Sequence, residues 1–424
     1  MIIRTTALAL ALLLPLAAHG VLPPGNRVVL DIESSKENPR NSEGAFVTLK
    51  SGRILFFYTQ FYGGAADESP ARIVSICSDD DGQTWNREPR VVVENTGGQN
   101  VMSVSLLRLK SGGIALFYLV KNSRHDCRPW MRLSTDEAQT WSAPRLVVDA
   151  PGYFVLNNDR VIQLSTGRLV APVAFHRARR SDPHDPRSFD SRAIALWYLS
   201  DDEGQTWREA NDWWALPVAS GSGLQEPGVV ELAGGNVLSW ARTDLGAQWG
   251  CVSTNAGLSW PPFTATSLQS PLSPASLKRL PGSADLLAVF NDHSGAFPFP
   301  PGKRTPLVAA ISSDGGATWS RRKVLEDDPK GQYCYTAIHF VEGAVLLGYL
   351  DFRSNGSQAS NRLRLRRVGL GWLRTPDSPK PPGTQRRVKI SALGLAERFV
   401  GGCRPSLQDG IECRAKRVIL QAAI

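Results

Sequence analysis

Acidic and hydroxyl side chains gather at short spacing in several places along this chain, and these clusters are the first feature that could carry chemistry. The fullest is Ser78-Asp79-Asp80-Asp81-Gly82-Gln83-Thr84-Trp85. Carboxylates at close intervals beside a glycine are what a calcium loop uses to surround its ion with oxygen atoms. The stretch is too short for that role and lacks the glutamate that closes such a loop at its twelfth position. The cysteines are no better placed for a metal: Cys77, Cys127, Cys251, Cys334, Cys403 and Cys413 lie too far apart, although Cys403 and Cys413 are close enough to pair with each other. The other four read as buried free thiols. What remains for the acidic clusters is a structural task, because Asp and Ser side chains accept hydrogen bonds from nearby backbone N–H groups and Gly supplies a positive φ.

The elements that need such turns follow from repetition. The pattern Ser-x-Asp-x-Gly-x-Thr-Trp recurs from Ser78, Ser134, Ser200, Ser253 and Ser312, with Ala138 replacing Gly in the second copy and Asn255 and Ser259 replacing Asp and Thr in the fourth. Successive copies start 56, 66, 53 and 59 residues apart, enough for one four-stranded sheet with its loops. Each copy lies between β-rich runs, such as Ala71 to Cys77 before the first and Arg90 to Val93 after it, so each is a hairpin turn. Five boxed units and a box-less strand region, Gly343 to Asp351 with Asn361 to Val368, predict an all-β six-bladed β-propeller with very little helix.

Composition bounds the function. The 424 residues, 42% hydrophobic with 38 Gly and 29 Pro, suffice for a large core and exclude a disordered chain. The net charge of +9 does not mark a nucleic-acid face, because from Arg374 onward ten Lys or Arg stand against four Asp or Glu and the body is nearly neutral. Arg4, the apolar run Ala7 to Leu14 and the small residues near Ala18-His19-Gly20 read as an export signal over residues 1–20. No later run approaches the roughly 20 apolar residues of a membrane span. The expectation is a secreted or periplasmic protein with a propeller over 21–373 and a basic, Pro-rich tail of open structure over 374–424.

Repeated Asp boxes on a six-bladed propeller resemble the sialidase (neuraminidase) superfamily, over roughly Arg40 to Val368. The resemblance implies hydrolysis of a terminal sialic acid or related 2-keto sugar acid with retention, needing no metal or organic cofactor. Three arginines would hold the substrate carboxylate, since guanidinium forks onto it bidentately and stays charged. A Tyr–Glu pair would attack the anomeric carbon, the neutral phenol being spared the repulsion that a carboxylate nucleophile would meet. Leu224 to Leu232 resembles the segment of the catalytic Glu, which makes Glu226 the base, and Ala241-Arg242-Thr243 supplies Arg242. Gly302-Lys303-Arg304 gives Arg304, and Gln332 to Ile338 gives Tyr335, preferred to Tyr333 as nucleophile.

At the front of the chain Pro39-Arg40-Asn41-Ser42-Glu43 stands where the family carries Arg-Ile-Pro, so Arg40 becomes the first arginine and Glu43 a residue that could face the site. Asp67 is the candidate loop acid, with Glu68 second. Residues 157–160 and His176 fall at blade ends, where closing loops is the first reading and touching the glycan the second. The expected partner is a carbohydrate, with no nucleic acid and no membrane. The alternatives are a glycan-binding propeller without turnover and a hydrolase or lyase acting on another acidic sugar.

Overall fold

Strands form where the sequence alternates or runs continuously apolar. Ile54–Phe61 and Ile114–Lys121 are buried along nearly their whole length, the pattern of a strand covered on both faces. The computed structural model describes residues 25–355 and 358–377. The expected export signal, Cys403, Cys413 and the tail beyond 377 lie outside them. The chain is all-β: its described helices are a single-turn 3-10 segment, Pro186–Ser188, and one five-residue α-helix, Leu370–Arg374.

Four antiparallel sheets have four strands each. The first consists of Arg40–Thr48, Ile54–Phe61, Ala71–Ser78 and Arg90–Val93. Two others begin at Gln225–Glu231 and Ser276–Arg279. Between these and the first lies a nine-stranded sheet, in which one half from Asn100–Arg108 and another from Tyr153–Val155 are joined by a single parallel pairing of Tyr153 with Cys127. The last sheet combines Gly331–Val341, Ala344–Asn355 and Gln358–Gly369 with Asn26–Ile32 from the front of the chain.

The boxes turn the chain as their chemistry predicts. In the first, Ser78 Oγ accepts from the Gly82 amide at 2.9 Å while Asp80 accepts from the Thr84 amide at 2.9 Å and from its hydroxyl at 2.6 Å. The same bonds recur around Asp136, Asp202 and Asp314. Asn255 keeps the amide bond to residue 259. Three of the box tryptophans pack toward the preceding unit, counting the halves of the nine-stranded sheet separately: Trp141 meets Phe57, Trp207 meets Phe117, and Trp260 stacks on Trp197 with ring centroids 4.2 Å apart, whereas Trp85 meets Phe46 and Phe56 of its own sheet.

Apolar burial follows the same order. Six clusters of buried side chains bridge neighbouring units, counting the halves of the nine-stranded sheet separately; the one that joins those two halves also takes in Phe61 and Ala71 of the first sheet. The sixth joins Phe46, Phe56 and Trp85 of the first sheet to Leu346, Leu363 and Leu365 of the last. Cys127, Cys251 and Cys334 are buried free thiols, and Cys77 is a partly buried one.

Candidate active site

One irregularity recurs in the first strand of several sheets. Two residues stand opposite one: Glu43-Gly44 against Tyr58, Ser103-Val104 against Tyr118, Glu226-Pro227 against Ala241, and Tyr335-Thr336 against Tyr349. The leading residue of each bulge has a positive φ, from 48° to 59°, a conformation that costs a non-glycine residue and that re-aims its side chain. All four side chains face one cavity of about 180 Å³, together with Asp67, Lys121, Tyr153, Asn157, His176 and Arg242.

The chemistry on its walls is organised around Glu226. Arg242 Nη2 forms an ion pair with Glu226 Oε1 at 3.0 Å, and Tyr335 Oη donates to the same oxygen at 3.4 Å. Among the described residues, Nε and Nη1 of Arg242 and Oε2 of Glu226 are buried without a partner, which leaves them free to meet a polar ligand. Burial pushes the Tyr335 phenol well above its ordinary range and Glu226 adds to this, while Arg242 and Arg304 pull it back. Arg304 lies with its guanidinium 5.7 Å from the Tyr335 ring centroid and donates to Cys334 Sγ at 3.1 Å. Tyr333 is fully buried on the other side of its strand, where its hydroxyl accepts from Arg353.

Arg40 is held at the cavity's edge. It sits over the Phe61 ring at 4.5 Å, pairs with Asp67 at 2.5 Å and reaches Glu43 at 3.7 Å. Burial would raise the Asp67 carboxyl, but the charge and hydrogen bond of Arg40 outweigh it and hold Asp67 below the usual carboxylate range. Its loop is fixed by Lys121 and Asn100, which both donate to the Asp67 carbonyl. Glu68 turns to Arg124 instead. Glu43, almost wholly buried, accepts from Ser103 Oγ at 3.1 Å, and burial pushes its carboxyl up to about 7 against the pull of Arg40.

The structure therefore brings Tyr335, Glu226, Arg242 and Asp67 onto one cavity, with Arg304 against the Tyr335 ring and Arg40 bound to Asp67. Of the segment 157–160, Asn157 lines the cavity, while Asn158 donates to the carbonyls of Gly44 and Tyr335 at 2.9 and 3.1 Å and so ties two bulges together. Asp159 and Arg160 bind Lys278 and the Ala275 carbonyl beneath. His176 lines the cavity, its Nδ1 on the Asp190 carbonyl and its pKa pushed down to about 4 by burial. Sequence reasoning missed Ser103 and Lys121. A signal for the bulges was present: Glu43, Ser103 and Glu226 stand nine residues before a turn glycine at 52, 112 and 235, and Tyr335 stands eight before Gly343.

An all-β chain with box turns and a Tyr–Glu–Arg cluster in a cavity defines a class that comparison with known proteins makes definite. Residues 61–350 match the BNR repeat-like domain, and the chain belongs to that family, within the sialidase superfamily. It is 25% identical over 442 aligned positions to the sialidase of Micromonospora viridifaciens, covering 92% of this chain and 62% of that protein, so it spans less than two thirds of that relative. Its fold is similar to that of the NanB sialidase from Streptococcus pneumoniae (TM-score 0.63, 15% identity, 82% of this chain and 71% of the other). It is equally similar to the intramolecular trans-sialidase of Ruminococcus gnavus (TM-score 0.63, 15% identity, 83% and 98%). A Dyadobacter fermentans protein of unknown function matches over 81% and 100% at 19% identity with a TM-score of 0.62. At these identities the structural likenesses speak for the fold alone.

Proposed function

We propose that this chain is an exported exo-glycosidase that removes a terminal sialic acid or related 2-keto sugar acid, with the cavity at the centre of a six-bladed β-propeller. The observation that carries the reading is the shared oxygen of Glu226, contacted at once by the Tyr335 hydroxyl and by Arg242. The phenol attacks the anomeric carbon as its proton passes to Glu226, and the positive charge of Arg242 and Arg304 stabilises the phenolate as it forms. Water then displaces Tyr335 from the opposite face of the sugar, the one the aglycone left, so two inversions retain the configuration. The unpaired nitrogens of Arg242 meet the sugar carboxylate, with Arg304 and Arg40 completing its electrostatic frame. The leaving-group proton has two carboxyl sources on the wall, Asp67 and Glu43. The propeller reading rests on the order of the apolar clusters, which returns from the last sheet to the first.

Turnover of an aryl sialoside tests the assignment. Tyr335→Phe is expected to lose about 10³-fold or more in kcat, on the scale of removing a covalent catalyst, and Arg304→Ala to lose about 10- to 100-fold in kcat/KM. Equal rates in wild type and both variants would remove it. Because Arg40 is already bound to Asp67, an aryl uronide belongs in the same assay as the second reading.

A further inference from the structure

We propose that Glu43 rather than Asp67 holds the proton taken up by the departing sugar oxygen, with the Arg40–Asp67 pair serving to keep Glu43 in place. This rests on the glycosidase reading above and deepens it. A group that protonates a leaving oxygen must be on the reaction cavity and must still carry its proton when substrate arrives. Asp67 satisfies the first condition only. Its carboxylate takes the short bond from Arg40, and its side chain remains about two-thirds exposed, a setting that keeps it ionised.

Glu43 satisfies both conditions. It occupies the same bulge position as Glu226 and Tyr335, on the wall of the same cavity, and Asn158 binds the carbonyls of Gly44 and Tyr335 so that these two bulges are held side by side. One guanidinium serves two carboxyls here, at 2.5 Å for Asp67 and 3.7 Å for Glu43. Where two acids share one cation, the proton rests on the more buried and less closely paired of them. Burial is the largest influence on Glu43 and favours the proton, as do Asp67 from the loop and Glu226 from the strand across the cavity, against Arg40 on its own strand and the hydrogen bond that Ser103 donates. Tyr335, Tyr153, Arg242, Lys121 and Cys127 complete the charged or titratable wall, with His176, neutral at ordinary pH, beyond them.

The step balances without any further reactant. The C–O bond to the aglycone breaks, its electron pair goes to the oxygen, and that oxygen takes the Glu43 proton. Meanwhile Tyr335 bonds to the anomeric carbon and gives its proton to Glu226. In the second half Glu43, now a carboxylate, takes a proton from the attacking water, and the departing phenolate recovers its own from Glu226.

The test compares wild type, Glu43→Gln and Asp67→Asn on two sialosides, one with a nitrophenol and one with a sugar alcohol as leaving group. A nitrophenolate leaves without help, whereas a sugar alkoxide needs the proton. Glu43→Gln is expected to slow the sugar-linked substrate by about 10²- to 10⁴-fold and the nitrophenyl one by less than about 10-fold. It should also abolish the alkaline limb of kcat/KM that the raised Glu43 pKa leads one to expect near pH 7 in wild type. Sodium azide restores nitrophenol release in Glu43→Gln if hydrolysis of the tyrosyl intermediate has become limiting. Asp67→Asn is expected to keep the alkaline limb and to slow both substrates alike. The inference is overturned if the leaving-group split and the lost limb appear in Asp67→Asn while Glu43→Gln retains the limb. Equal melting temperatures of wild type and Glu43→Gln at pH 5 separate chemistry from misfolding, and a Glu43→Gln chain that fails to fold transfers the decision to Asp67→Asn, whose retention or loss of the limb supports or overturns the assignment. Failure of the glycosidase reading itself looks different, since wild type would then be inert toward both sialosides.

Discussion

Glu43 is a carboxyl whose burial is written into the stability of the protein as well as into its chemistry. Its pKa rises from an ordinary 4.5 to about 7 on folding, so the folded chain binds this proton more tightly than the unfolded one. A raised pKa contributes stability that is fully present below about pH 4.5 and is lost as pH rises through about 7. The loss is on the order of 3 kcal/mol, because the group is almost wholly buried and screening by water is slight. His176 and His339 act in the opposite sense: burial pushes them down to about 4 and about 3, so they strengthen the fold as pH rises through the ordinary histidine range. The wild-type curve alone therefore mixes the two effects, and the informative quantity is the difference from Glu43→Gln. In urea unfolding between pH 4.5 and 7.5, wild type should fall steadily behind Glu43→Gln, and a constant difference would show that folding does not raise the Glu43 pKa.

At the scale of elements, the box turns and the bulges divide the work between the two ends of the sheets that carry both. In the first sheet Ser78 pairs with Ile54 at the box end, whereas Ala71 pairs with Phe61 beside Arg40 and the loop that carries Asp67. Asp80→Ala removes the acceptor of three short bonds far from the cavity, so it should cost about 1–2 kcal/mol of stability while leaving kcat/KM within about twofold. Thermal melts with parallel assays check this, and a large loss of turnover at unchanged stability would contradict the division. These turns were legible from sequence because one set of side chains both makes the hydrogen bonds and spells the repeat. Glu226, Arg242, Arg304 and Tyr335 were legible as a group because the segments that carry them resemble those of the sialidase superfamily and follow in the same order along the chain. The bulges were harder to read, since Glu43, Ser103, Glu226 and Tyr335 adopt a positive φ without the glycine that usually announces it. The place of Arg40 was misleading for a related reason: its partner Asp67 lies 27 residues on, and only the folded loop shows that the arginine is already engaged.

For the molecule as a whole the decisive strand is one whose partners no local pattern reveals. Asn26–Ile32 pairs with Gln358–Gly369, more than 300 residues away, and Asp31 holds Arg364 through two bonds of 2.8 and 2.9 Å. Leu30 from this strand enters the cluster that also contains Phe46, Phe56 and Trp85 of the first sheet. In the proposed propeller this strand closes the ring, because it lets one sheet be built from both ends of the described chain. Closure predicts a particular spread of damage. Leu30→Ala should cost about 2–5 kcal/mol, as for other buried large-to-small changes. In a ring that loss should loosen the last and first sheets together, since both border the cluster, while the sheet from Gln225–Glu231 onward keeps its own two apolar neighbours. Amide hydrogen exchange resolves the outcome: protection should fall in Arg40–Thr48 and in Gln358–Gly369 and persist in Val237–Arg242. If protection fell in the last sheet alone, the first and last sheets would not be mutually supporting and the ring would be open at that seam.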